Sequence, residues 1–188
     1  MRQAQTLNEA QLRRVIKYTR SRRHQVRDET IILTSFYAGL RAKEIAALTV
    51  GNVFDEEGDV RSQFILSAAQ SKGGQTRTVY LNQRFRKALL EYSAYIRITD
   101  PQRPLFVSPK GGHFSANTMC QLFLDIYKAV GLKDASSHSG RRTYISRFAN
   151  KGVGVRLLAE LARHSHIFTT QKYIDVNCEQ LSEAVGLL

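Results

Sequence analysis

Three short segments of this sequence carry residue types that can bind a phosphate, move a proton and attack phosphorus. The first is His138-Ser139-Gly140-Arg141-Arg142-Thr143. A histidine at i and an arginine at i+3 share one face once a helix has started. Imidazole can trade a proton near neutral pH, whereas guanidinium holds its charge. Together they suit a site where negative charge grows and a proton must move, although a helix start with satisfied polar side chains has the same composition. The second is Ala38-Gly39-Leu40-Arg41-Ala42-Lys43-Glu44-Ile45, with an arginine just after a glycine turn. A guanidinium at a helix start can hold phosphate bidentately, and the helix N–H groups favour the same anion. Alone, such an arginine reads as a surface residue. The third runs from Leu161 through Arg163, His164, Ser165 and His166 to Tyr173. No carboxylate or cysteine cluster accompanies its His-x-His, so a metal site is not expected. Tyr173 alone would be taken for a core tyrosine, because the ring buries a large apolar area.

Taken in order, the segments read Arg41, Lys72 between two strand-like runs, His138-x-x-Arg141, His164, and Tyr173 nine positions later. That order and spacing resembles the catalytic domain of the tyrosine recombinases, the phage integrase family. Ala38-Gly39-Leu40-Arg41 with Glu44-Ile45 and Leu48 resembles the family's first arginine box. Leu105-Phe106-Val107-Ser108 followed by Gly111-Gly112 resembles a non-catalytic signature, and His138 to Thr143 with His164 to Tyr173 resemble the second box. The family usually has glycine directly before the second-box histidine; here it is Arg163. The resemblance implies DNA strand cleavage and rejoining through a 3′-phosphotyrosyl intermediate, with no cofactor. It makes Tyr173 the nucleophile, Arg41 and Arg141 the clamp on the non-bridging oxygens, and Lys72 the general acid for the 5′ oxygen. His138 becomes the proton partner of Tyr173, and His164 a donor to a phosphate oxygen. Type IB topoisomerases share the residue set, and a non-catalytic DNA-binding regulator on the same scaffold is the other alternative.

The elements that must position these groups are mostly helical. Thr6-Leu7-Asn8-Glu9 reads as a capping box opening a helix with Leu12, Val15 and Ile16 at helical spacing. Arg27 to Ala38 reads as a buried helix stopped at Gly39, and Ala42 to Leu48 as a short one. Val60 to Leu66 and Thr76 to Leu81 have strand composition, with Ser71-Lys72-Gly73-Gly74-Gln75 as turn chemistry between them. Helices are expected at Arg84 to Ile98, at Ala116 to Val130 with Ser115 as N-cap and Gly131 as stop, and at Gly140 to Asn150, Val155 to Arg163 and Thr169 to Asp175. Leu181, Ala184, Val185 and Leu188 form an apolar helical stripe, so residues 176–188 read as a helix that packs on its own core or docks on a neighbouring subunit. The expected fold is mainly α with a small antiparallel β-sheet, in a single catalytic domain over 1–188. The separate N-terminal DNA-clamping domain of most family members is expected to be absent.

Composition agrees with a nucleic-acid partner. Lys and Arg total 28 of 188 residues against 16 Asp and Glu, a formal charge of +12. A compact chain with that excess attracts polyanions, because each cation placed on a phosphate releases a counterion. Arg20, Arg22, Arg23 and Arg27 form either a solvated loop or a phosphate-facing patch, and Lys43, Arg77, Arg142 and Arg163 are further candidate DNA contacts. Cys120 and Cys178 stand far apart, outside any metal-ligand spacing. With no secretory signal or bilayer-length apolar run in view, the expected setting is cytoplasmic, nucleoid-associated, in a prokaryote, phage or mobile element. The expected partners are double-stranded DNA and further copies of the chain, as a dimer or tetramer on DNA, and no membrane.

Overall fold

A computed structural model describes residues 4–71, 74–162, 166–173 and 185–186. The chain divides into two compact units, Met1–Thr143 and Tyr144–Leu188. The fold is mainly helical with a small antiparallel sheet, as the sequence implied.

The first unit opens with α1 (Glu9–Thr19). Its capping box is Asn8 with Gln11, whose side chains exchange hydrogen bonds with each other's backbone N–H at 2.8 and 2.9 Å. The expected Thr6–Glu9 box is therefore displaced by two residues. Leu7 causes the shift: its N–H donates to Thr143 Oγ1 at 2.8 Å, so the chain is still extended there. Leu7 and Leu12 then occupy the positions of a hydrophobic staple, both buried in the same core.

Helix α2 (Gln25–Ala38) is buried over most of its surface, by Ile31, Ile32 and Phe36 among others. Thr30 and Thr34 lie inside at no cost in unmet polarity, because their hydroxyls donate to the carbonyls of Val26 and Thr30. Gly39, at φ 63°, ends the helix in the left-handed conformation that glycine adopts without strain. Next come α3 (Ala42–Ala46) and α4 (Val50–Val53) in place of one helix over 42–48. The break occurs where Leu48 accepts a hydrogen bond from the Leu105 N–H at 2.8 Å and Thr49 bridges to Pro104.

Strands β1 (Gln63–Leu66) and β2 (Arg77–Tyr80) pair antiparallel, with Leu66 opposite Arg77 and Phe64 opposite Val79. Both are shorter than expected, since Val60 pairs instead with Phe54. Their inward positions are Phe64, Leu66, Arg77 and Val79. Helix α5 (Gln83–Ser93) ends five residues before the expected Ile98, where a turn sends Ile96 and Ile98 back onto the core. Helix α6 (Ala116–Ala129) is capped by the Ser115 hydroxyl, which accepts from the Thr118 N–H, and Gly131 follows at φ 75°.

Helix α7 (Ser139–Asn150) begins in the first unit. Its Gly140 is required by close packing: a Cβ there would lie 2.5 Å from Ser35 Oγ and 2.9 Å from Ser35 Cβ, on α2. The second unit holds the rest of α7, α8 (Val155–Ala162) and α9 (Ile167–Gln171). Ile145, Ala149, Leu158 and Ala162 form its core, with Tyr144, Phe148, Val153 and Tyr173 packed against it. Helix α9 starts two residues earlier than the expected Thr169 and is capped by Lys172, so Tyr173 follows the helix rather than lying within it. Of the expected C-terminal stripe only Val185 is described, and it is exposed; the rest of that expectation lies outside the described residues.

Candidate active site

The C-terminal end of α2 is where the first unit gathers its arginines. A helix leaves its last carbonyls without intrahelical partners and carries a partial negative charge there. Arg141 Nη1 donates to Gly39 O at 2.6 Å, and Arg77 Nη2 reaches Ala38 O at 3.5 Å. Both arginines are buried, at 5% and 6% exposure. The glycine contact between Gly140 and Ser35 makes this possible: it brings the first turn of α7 onto α2, one residue before Arg141.

Arg41 follows two residues after Gly39, at the start of α3. Its N–H and its Nη1 donate to the two oxygens of Glu44, at 2.8 and 3.0 Å. The guanidinium is 20% exposed and Glu44 only 1%. Burial alone would push the Glu44 carboxyl up. The charge of Arg77, the Arg41 N–H and the charges of Arg41 and Arg141 together outweigh burial and hold it below the usual carboxylate range. The Glu44 carboxylate thus faces the positive charge of three guanidiniums, of which Arg41 bonds to it directly.

His138 lies one turn before Arg141, with an exposed side chain, and its carbonyl accepts from the Arg142 N–H at 2.8 Å. Ser136 Oγ accepts from the His138 N–H at 3.3 Å, and the Ser139 hydroxyl accepts from the Ser136 N–H at 3.0 Å. These reciprocal bonds fix the loop that presents His138. Lys43 is exposed and Arg142 half-buried.

In the second unit Tyr173 is half-buried at the rim of the Ile145–Leu158 core. Two other tyrosines show what a core phenol looks like. Tyr92 and Tyr127 are buried, and burial pushes both phenols up, away from ionisation. Tyr173 does not share that enclosure. Lys72, Arg163 and His164 lie outside the described residues. The loop around Lys72 is closed by Ser71, whose hydroxyl donates to Gln75 O at 2.6 Å and accepts from Gln75 N–H at 3.2 Å.

Around the start of α2, arginines of the basic stretch pair with carboxylates of the fold. Arg20 grips Glu29 through two bonds of 2.8 and 2.9 Å. Arg22 and Arg27 take opposite oxygens of buried Asp28, and Arg27 also donates to Val107 O and lies over the Phe114 ring. Of the four arginines expected to face phosphate, three are thus committed to carboxylates of α2. Arg77, also expected as a DNA contact, is inside the fold rather than on its surface. Sequence reasoning gave Glu44 no role and put Arg77 on the surface, whereas both are buried. Glu44 carried a signal, its i+3 spacing from Arg41 at a helix start. Arg77 carried another, since it alternates with the inward Val79 on β2.

The profile of the phage integrase family matches residues 5–180, and the chain belongs to that family. It is 26% identical over 166 residues to tyrosine recombinase XerC of Pelobacter propionicus, covering 88% of this chain and 53% of that protein. It is 28% identical over 165 residues to tyrosine recombinase XerA of Pyrococcus furiosus, covering 86% and 54%. The chain spans about half the length of these recombinases. Among solved structures, the XerA recombinase superposes with a TM-score of 0.75 at 24% identity, over all of this chain and 66% of that one. The Tn1549 transposon integrase, in complex with a circular intermediate DNA, gives 0.79 at 18% identity, over all of this chain and 67% of that one. No helix among the described residues is long and apolar enough to cross a membrane.

Proposed function

We propose that this chain is the catalytic domain of a site-specific DNA recombinase that cuts one strand through Tyr173 and rejoins it to another. The observation that carries this reading is the convergence of Arg41 and Arg141 on the Gly39 turn, where Arg141 is anchored by a main-chain carbonyl and Arg41 is oriented by Glu44. A phosphodiester resists attack because its charge repels nucleophiles and its alkoxide leaves poorly. Arg41 and Arg141 would hold the non-bridging oxygens and stabilise the pentacoordinate charge. The Tyr173 phenol oxygen forms the bond to phosphorus as its proton passes to His138. The bond to the 5′ oxygen breaks, and Lys72 protonates that oxygen. His164 donates to a phosphate oxygen. The phosphotyrosine keeps the bond energy, so a 5′ hydroxyl from another strand can reverse the step.

Double-stranded DNA is the substrate in this reading, and two or more copies meet on it. Support comes from family membership, from the +12 charge and from relatives solved on DNA. The test is covalent capture from a pool of nicked duplexes with a randomised central sequence, which also recovers the cleavage site. The parent chain should yield a protein–DNA adduct resistant to detergent, and Tyr173→Phe should bind the same pool and yield none. An adduct persisting in Tyr173→Phe would assign the nucleophile elsewhere. Relaxation of plasmids without exchange between two captured sites would point to a topoisomerase.

A further inference from the structure

We infer that Arg77 is a positioning residue of the strand-transfer site: held beneath the turn at the end of α2, it keeps Glu44 fixed as the anion that orients Arg41. The inference deepens the function proposed above and rests on it.

The geometry begins with consecutive carbonyls. Ala38 O faces Arg77 and Gly39 O faces Arg141, so the two guanidiniums hold consecutive carbonyls of the turn that leads into Arg41. Successive Cα atoms are about 3.8 Å apart, which keeps all three arginines within a few ångströms of the same turn. Arg77 reaches that place from β2, where its register opposite Leu66 turns it inward beside Val79. A surface arginine on this hairpin would point the other way, as Thr78 and Tyr80 do.

Arg77 is too enclosed to meet a DNA phosphate directly, yet it is well placed to act on Glu44. The groups facing that carboxylate are Arg41 ahead of α3, Arg77 from β2 and Arg141 from α7. Of the three charges, that of Arg77 does most to hold the carboxyl ionised. Arg41 depends on the carboxylate twice, through its N–H and through Nη1. A buried carboxylate that lost its strongest counter-ion would take up a proton more readily. A protonated Glu44 cannot accept both bonds from Arg41 as a charge-assisted pair, and the guanidinium would lose its fixed orientation.

Two readouts test this, one independent of DNA. In the free protein, carboxyl-carbon NMR follows Glu44 through a pH titration. Arg77→Gln should raise its proton affinity about tenfold or more, whereas Arg77→Lys, which keeps a charge, should raise it far less. A Glu44 titration unmoved in Arg77→Gln overturns the inference whether or not the chain acts on DNA. On the duplex recovered by covalent capture, the adduct rate of Arg77→Gln should fall on the order of 100-fold near pH 6 and by less near pH 8, with affinity for the duplex within about twofold of the parent. A rate ratio that stays flat with pH, or affinity falling in step with rate, overturns it. If Arg77→Gln does not fold, the Glu44→Gln/Arg77→Gln pair carries the test, because it removes one buried charge of each sign and leaves the net charge of the turn unchanged. Its adduct rate should match Glu44→Gln alone within about threefold, since a residue acting only through Glu44 adds nothing once Glu44 is neutral. A further loss multiplying the two single effects would give Arg77 a separate role.

Discussion

At the N-terminal end of α2, Arg20, Arg22 and Arg27 meet the carboxylates of Glu29 and Asp28. At its C-terminal end, Arg77 and Arg141 meet main-chain carbonyls, and Arg41 pairs with the carboxylate of Glu44. The residue type is the same and the consequence is opposite. A guanidinium paired with a carboxylate is spent as a charge: it stabilises the fold and offers little to a ligand. A guanidinium held by a carbonyl dipole is anchored without being neutralised. Helix polarity sorts the two uses. Carboxylates in the first turns complement the positive end of α2, and cations gather at its negative end. A phosphate entering the C-terminal end would therefore meet guanidiniums that main-chain carbonyls have already oriented.

The largest expected effect tests the anchored end. Arg141→Ala should slow adduct formation on the captured duplex by about 100- to 1000-fold, the scale of losing one oriented donor at a developing anion, about 3–4 kcal/mol. Measured single-turnover rates on folded protein decide it. A loss under about tenfold would mean that Arg141 serves the fold rather than the transition state. Its removal also leaves Gly39 O without its cap, so thermal unfolding should be followed alongside.

The paired end should fail in the other way. Asp28 is buried and accepts from Arg22 and Arg27 on opposite oxygens. Asp28→Ala strands two partly buried guanidiniums and should cost about 3–5 kcal/mol in denaturant unfolding. In the fraction that remains folded, adduct formation should be within about twofold of the parent, whereas a mutated donor costs about 100-fold or more. Chemistry lost beyond the loss of folded protein would erase the distinction between the two ends.

How much of this could be read beforehand depends on the kind of signal. That Arg41 and Arg141 lie beside turns was legible, because glycines at 39 and 140 mark those turns; the roles given to them, to His138 and to Tyr173 belong to the proposed chemistry. The α2 boundary followed from Gly39. Glu44 was quoted within its motif but had no assigned role, because a carboxylate on an amphipathic helix looks solvated until its neighbours are known. Arg77 was misplaced for a similar reason: charge suggested the surface, while its alternation with Val79 placed it inside. The ends of α1 and α5 were misjudged where distant contacts override local preference, as when Leu7 bonds to Thr143. The pairing of Arg20, Arg22 and Arg27 could not be read from charge alone, since a run of arginines has the same composition whether it faces DNA or its own helix.

The smallest effect is expected at Arg20, and it sharpens the comparison most finely. Its side chain is 67% exposed, so its bidentate pairing with Glu29 is screened by water. Arg20→Ala should cost no more than about 1 kcal/mol of stability, and less still in high salt. Its effect on DNA is the more telling quantity. Each phosphate contact adds about 0.9 to the slope of log affinity against log salt. If Glu29 holds Arg20 away from the duplex, Arg20→Ala leaves that slope unchanged on the captured site. Glu29→Gln then provides the complementary measurement, because it frees Arg20 without removing it. A slope that steepens by about one in Glu29→Gln would mean that pairing alone withholds this arginine from DNA. An unchanged slope in both variants would mean that the N-terminal end of α2 lies away from the phosphates, and that the division of labour along the helix is one of place as well as of partner.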